Sequence, residues 1–307
     1  MRNSSIDNVR GFAMLVIISW HVMNIHSPWT DMWTMPVFFV VMGIFYKPTD
    51  WSTLVKKKTA TLVVPWLFFS IPDFLMSLAH RGVLEVMRVI FNPYQYLHAG
   101  SWFVACTLWI YVITYCLYRI KNNHLRTWIT WLMIIGGFVL SNTHVLGYRT
   151  VLPLNIHSAM CMYIFFEMGR LLGVVFLKSD KKISIVTACA GFTFCAIDIT
   201  LLGGVKPFDI IWVSWQQNEL LMLLRCVVGC STILSICNLL PKLPIVSYLG
   251  RYSLIVLLSH FYFINILRDL GVLRWHLYAL TIVLTLAFTF LSVRYLPQLV
   301  GVKTNKK

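Results

Sequence analysis

Apolar residues arrive in ten long runs separated by short polar segments, at about 9–26, 33–46, 61–80, 102–119, 127–141, 157–176, 184–203, 218–240, 252–267 and 276–296. The runs are continuous, with no in–out alternation, so they predict helices and not the strands of a barrel. Most are long enough to cross a hydrocarbon layer, and 33–46 is short and needs its flanks. The pattern predicts an all-α protein, a polytopic membrane helix bundle of about ten transmembrane helices. The loops are too short for a soluble domain, and no repeat, linker or low-complexity segment divides the chain. Residues 1–307 therefore read as a single integral-membrane domain whose chemistry lies within the bundle or at its mouths. No small-residue cleavage site follows the first run, so it reads as a retained helix, not a signal peptide.

Composition agrees: 58% of residues are hydrophobic and only 12% charged, and the mean hydropathy is +0.74. The net charge of +15 would suggest nucleic acid if it formed a basic face interleaved with aromatics. It sits instead in short clusters between apolar runs. With the N-terminus in the cytoplasm, the inside segments carry 17 Lys and Arg and the outside loops carry 6. This bias places both termini in the cytoplasm and favours an even number of spans. The partner implied is a lipid bilayer, in a cell inner (cytoplasmic) membrane, and not nucleic acid. All eight cysteines fall in apolar runs without metal-binding spacing, which predicts buried, reduced thiols and no metal site. Trp29, Trp33, Trp51, Trp102, Trp215 and Trp275 stand near predicted boundaries, as in an interfacial belt. No feature fixes an oligomeric state.

Ionisable groups at membrane depth are costly and tend to be functional. The candidates are His21, Asp73, Glu167, Asp198, Glu219, Arg225 and His260. His21 is the deepest on the first helix and follows Arg10 by eleven residues. Eleven steps of a helix make about 1100°, about 20° beyond three turns, so both side chains share a face about 16 Å apart. One reading is a ligand track, with a cation at the cytoplasmic mouth for an anionic head and an imidazole further in for a reactive tail. The other is a topology anchor and an interhelical hydrogen bonder. Lys56, Lys57 and Lys58 precede the third helix on the same side, either as a topology signal drawn to anionic lipid or as a phosphate clamp. Glu167 and Arg170 are spaced to neutralise each other. Arg225 needs a partner from another helix, Asp198 is expected near solvent, and Asp73 follows Pro72, where a freed carbonyl can open a kink.

Five stretches carry a resemblance. "SSIDNVRGFAMLVIISWH" resembles the opening helix of the membrane-bound acyltransferase type 3 family, whose mark is a basic residue, ten intervening residues and a histidine; Arg10 and His21 match it. "DMWTMPVFFVVMGIFY" resembles the family's Met-Pro and Phe-Phe element. "LVKKKTATLVVPW" resembles its basic segment before a proline. "SWFVACTLW" resembles its Trp-Phe-Leu helix start, and "YLGRYSLIVLLSH" its late Gly-x-x-Ser…His helix. The order holds along nearly the whole chain. The short length and the Met-Pro-Phe-Phe segment look most like the fucose 4-O-acetylase-like subgroup. In the family the basic segment often reads Arg-x-x-Arg; here those positions are Lys58 and Thr61, with Lys57 as the substitute cation.

The resemblance implies an acyl-CoA-dependent O-acetyltransferase. It would move an acetyl group from cytoplasmic acetyl-CoA, a substrate and not a bound cofactor, to a hydroxyl of a cell-surface glycan or its lipid-linked precursor. Arg10, Lys57 and Lys58 would hold the donor's phosphates. His21 would deprotonate the acceptor hydroxyl or carry the acyl group. Asp7, at i−3, would orient Arg10, and Trp102, Glu167, Arg225 and His260 are the supporting positions. The alternative is a transporter or flippase for a lipid-linked saccharide, which would fit better had the chain shown duplicated halves.

Overall fold

The computed structural model describes residues 3–81, 100–142, 144–145, 148–149, 154, 156–178, 180–203 and 219–302. Each of the ten apolar segments contains a helix. In chain order the helices are α1 (Ser4–Met23), α2 (Pro28–Asp31), α3 (Pro36–Ile44), α4 (Trp51–Lys58), α5 (Val64–Arg81), α6 (Ser101–Tyr118), α7 (Asn123–Asn142), α8 (Ile156–Lys178), α9 (Lys181–Leu202), α10 (Glu219–Leu239), α11 (Pro244–Arg251), α12 (Ser253–Asp269) and α13 (Arg274–Tyr295). The described strands are a two-residue antiparallel pair, His144–Val145 with Tyr148–Arg149. Among the described residues α6, α9, α10 and α13 are each long and apolar enough to cross a membrane; a fifth span counts if α11 and α12, bent by 93°, are one broken crossing.

The short helices α4 and α11 fall where the pattern predicted loops. Both are too polar to register as apolar runs, yet each has a start signal. Asp50 caps α4 by accepting from the Thr53 N–H at 2.8 Å, a bond that holds its carboxyl below the usual range. Pro244 opens α11 at a position where its missing N–H costs nothing.

The described residues form two compact units, with one boundary in the loop after α3 and the others within α8, α12 and α13. The first comprises the described residues of 1–46, 164–253 and 267–282. Its helices touch backbone to backbone at small residues. A Cβ on Gly43 would lie 2.0 Å from the Phe166 carbonyl oxygen, and one on Gly169 would lie 1.9 Å from that of Val40. Reciprocal glycines therefore let α3 and α8 approach as closely as transmembrane helices do at small-residue seams.

The second unit comprises the described residues of 47–163, 254–266 and 283–307. Between α4 and α5 the chain makes one π-helical turn, Thr59–Val63, closed by the Val64 N–H on the Thr59 carbonyl. Pro65 explains it, because the proline removes the donor that an α-helical turn would give the Thr61 carbonyl. Further along α5, Pro72 has no N–H to give the Phe68 carbonyl, and the neighbouring Phe69 carbonyl accepts from the Tyr262 hydroxyl. Tyr262 also lies 3.1 Å from Asp73 Oδ2, so the carboxylate at the kink is met by a partner from α12. An apolar cavity of about 410 Å3 opens beside this kink, lined by Phe68, Phe69, Pro72, Tyr262, Phe263 and Phe288.

The predicted tryptophan belt divides. Trp51 and Trp275 are exposed, but Trp33 and Trp102 are only 2% and 6% exposed. These two are core side chains, because their helix ends are covered by neighbouring elements. Trp215 lies outside the described residues. All eight cysteines are free; six are buried, and Cys116 and Cys189 face outward.

Candidate functional site

The site is built on α1. Asn3 starts the helix by accepting from the N–H groups of Ser5 and Ile6 at 2.9 and 3.4 Å. Asp7 sits in the first turn, where the helix dipole favours an anion. The helix stops at Asn24, which adopts φ 52° and donates its N–H to the Trp20 carbonyl. It runs unbroken through both Arg10 and His21, so the shared face and the separation of about 16 Å both hold.

α1 is fixed at its N-terminal end by α11. Buried Asn8 donates to the Pro241 carbonyl at 3.0 Å and accepts from Ser247 Oγ at 2.6 Å and the Leu243 N–H at 3.3 Å. The two backbones touch through Gly11 and Gly250. A Cβ on Gly11 would lie 1.9 Å from the Val246 carbonyl oxygen, and one on Gly250 would lie 1.8 Å from that of Asp7. Arg10, one turn on, donates from Nη2 to Ser253 Oγ at 2.6 Å, which fixes its guanidinium at the start of α12.

A polar cavity of about 170 Å3 opens at this end, lined by Ser4, Asp7, Lys242, Tyr248 and Arg251 among others. Lys242 and Arg251 were counted at sequence level only as topology signals. Their convergence depends on α11, which the apolar pattern does not show.

His21 is not deep within the unit. It lies in the last turn of α1, two residues from the end, and its side chain is exposed. The observed helix starts and stops several residues earlier than the apolar run, which moves His21 from mid-helix to the far mouth. The Arg268 guanidinium reaches the His21 carbonyl at 3.3 Å and covers the open end of the helix. Arg10 and His21 thus mark the two ends of one rigid rod.

The remaining expected residues separate into roles. Lys57 is exposed. Lys58 is half-buried, with its ammonium 3.4 Å from the centre of the Tyr111 ring. Both belong to the second unit, as do Trp102, which meets Phe103 edge-on, and His260. The last is fully buried, with Nδ1 3.0 Å from the Val256 carbonyl oxygen, the position of a packed core histidine. In the first unit Arg170 grips Glu167 through two bonds of 2.8 and 2.6 Å, so this pair does neutralise itself.

Among the described residues Arg225 is the largest fully buried side chain. Its partner is Asp198, which accepts from Nε at 2.9 Å and from Nη2 at 2.6 Å. Asp198 was expected near solvent, but it is 1% exposed, because α9 and α10 pack along their length and enclose it. Among the described residues no group of His, Cys, Asp and Glu could hold a metal ion.

On the first helix a fixed arginine and an exposed histidine thus share one face. The sequence profile of the acyltransferase domain of the acyltransferase 3 family matches residues 3–294, nearly the whole chain and both units. The protein belongs to that family. No curated protein and no solved structure matches it.

Proposed function

We propose that this acyltransferase takes an acyl group, acetyl by family habit, from a cytoplasmic acyl-CoA thioester and delivers it to a hydroxyl of a cell-surface glycan or its lipid-linked precursor. The observation that carries the reading is α1, an unbroken helix with a clamped arginine near one end and an accessible imidazole at the other. The polar cavity beside Asp7, with Lys242 and Arg251 on its wall, supports an anionic head at the Arg10 mouth. The resemblance assigns Lys57 and Lys58 to the donor's phosphates as well. The helix in each of the ten apolar segments and the excess of Lys and Arg in alternate loops support a bundle of ten spans in the inner membrane with both termini in the cytoplasm. The match to the fucose 4-O-acetylase-like subgroup rests on chain length and the Met-Pro-Phe-Phe segment.

In this reading the donor's phosphates rest among the cations while its pantetheine arm follows the face of α1. The thioester then reaches His21 at the far mouth. His21 takes the acceptor's proton or carries the acyl group briefly. The test uses the full-length protein in lipid nanodiscs with [1-14C]acetyl-CoA and membranes holding the acceptor. Label entering polysaccharide together with release of free thiol is the expected result. Polysaccharide crossing the membrane without incorporation of label would identify a transporter and defeat the proposal.

A further inference from the structure

A second imidazole stands at the far mouth. Asn24 turns the chain back at the end of α1 through its left-handed backbone. The reversal lays the His26 ring on Trp20, the residue before His21, with centroids 5.4 Å apart and planes 18° from parallel. On its other side His26 Nδ1 faces Asp31 Oδ2 at 3.4 Å. The Asp31 side chain is only 4% exposed, whereas that of His26 is 34% exposed. Asp31 Oδ1 accepts from Thr30 Oγ1 at 3.4 Å, and Oδ2 has no hydrogen-bond partner in the described structure.

A buried carboxylate with an unused oxygen is costly to keep unless something meets it. Here the group within reach is an imidazole nitrogen. The imidazole is stacked on an indole and its side chain is partly exposed. With Nδ1 facing the carboxylate, Nε2 is the nitrogen left for substrate. This is the arrangement in which a carboxylate fixes a histidine's tautomer and stabilises the imidazolium that forms during proton transfer. Catalytic hydrogen bonds are often long before substrate binds, and a 3.4 Å separation is within that range.

We propose that His26 is the catalytic base of this enzyme and that Asp31 is its positioning residue. The proposal rests on the acyl-transfer reading and assigns one of its steps. The acceptor hydroxyl oxygen bonds to the thioester carbonyl carbon while its proton passes to His26 Nε2. The C–S bond then breaks, the electron pair leaves on sulfur, and the imidazolium returns the proton to the thiolate. The products are an O-acyl ester and a free thiol, with no change of oxidation state. In this step His26, and not His21, takes the proton, and His21 keeps the placing of the thioester where the donor track ends.

The experiment uses membrane vesicles from a deletion strain complemented with the full chain, supplied with [1-14C]acetyl-CoA and scored for label in polysaccharide. His26→Ala is expected to lower incorporation about 100-fold, the scale of general-base catalysis, and added imidazole is expected to restore at least about tenfold. Asp31→Asn, which keeps shape and the Thr30 contact, is expected to lower the turnover rate with the donor KM unchanged and with no response to imidazole. Wild-type levels of variant protein in the membrane are required. If His26→Ala incorporates label normally, or loses it with no imidazole response, the dyad is a tether of the turn and the proposal is overturned. If wild-type vesicles incorporate nothing, the acyl-transfer reading itself falls, and this step with it.

Discussion

Replacing Gly250 with alanine tests whether the backbone contact between α1 and α11 sets the Arg10 mouth. The added Cβ would stand 1.8 Å from the Asp7 carbonyl oxygen and 2.7 Å from the Gly11 nitrogen. Both are backbone atoms of a helix, so no side chain can swing aside. Real Cβ contacts essentially never fall below 3.0 Å, so the helices must part by about 1.2 Å. Carried to the Arg10 guanidinium, that shift lengthens its 2.6 Å bond to Ser253 to about 3.8 Å, beyond hydrogen-bond length. Overpacking of this kind costs about 1–3 kcal/mol, and a displacement of about 1 Å near a site can cost about 100-fold in rate. Gly136→Ala is the control. The nearest atom to its new Cβ is the flexible end of Met160 at 3.7 Å, an ordinary contact. There alanine should be neutral or stabilise by up to about 1 kcal/mol through lower unfolded-state entropy. The assay is a thermal melt in detergent beside label incorporation in vesicles. A Gly250→Ala protein that melts and works like wild type would refute the close seam.

Three further outcomes follow from the geometry. Arg225→Ala strands the Asp198 carboxylate in the interior and should destabilise by about 3–5 kcal/mol, whereas Arg225→Met combined with Asp198→Leu should recover most of the loss in the same melt. Tyr262→Phe removes the hydroxyl that bonds the Phe69 carbonyl beside Pro72 and should cost about 0.5–1.5 kcal/mol, the net worth of one hydrogen bond, read as a lower detergent melting point with donor KM unchanged. Arg10→Ala removes a charged group from the donor end and should raise the KM for acetyl-CoA about tenfold or more while His21 chemistry persists at saturation.

Much of the helical frame was legible because hydrocarbon-length runs leave few alternatives. The spans at 102–119 and 157–176 lie within two residues of α6 and α8. The helices it missed are α2, a single turn, and α4 and α11, which carry too many polar side chains to show as runs, and α11 turns out to pin the first helix. Periodicity placed Arg10 and His21 on one face correctly. The depth of His21 was misjudged because hydropathy follows the apolar run past the stop at Asn24, whose left-handed backbone no composition reveals. The pairing of Arg225 with Asp198 needed the lengthwise packing of α9 on α10, which hydropathy does not show. His26 and Asp31 carried no helical spacing at all. Their meeting depends on the reversal at Asn24, and the only local hint was a Ser-Pro start signal at residues 27–28.

The central claim is that His21 serves acyl transfer to a surface glycan. The most direct measurement is the O-acetyl content of the surface polysaccharide, by proton NMR, in a deletion strain complemented with wild type or with His21→Ala at equal membrane levels. The account predicts that wild type restores the acetyl signal and His21→Ala does not. Full restoration by His21→Ala would make His21 a packing residue and contradict the mechanism. An acetyl signal indifferent to the gene, with export of the polysaccharide altered, would contradict the function.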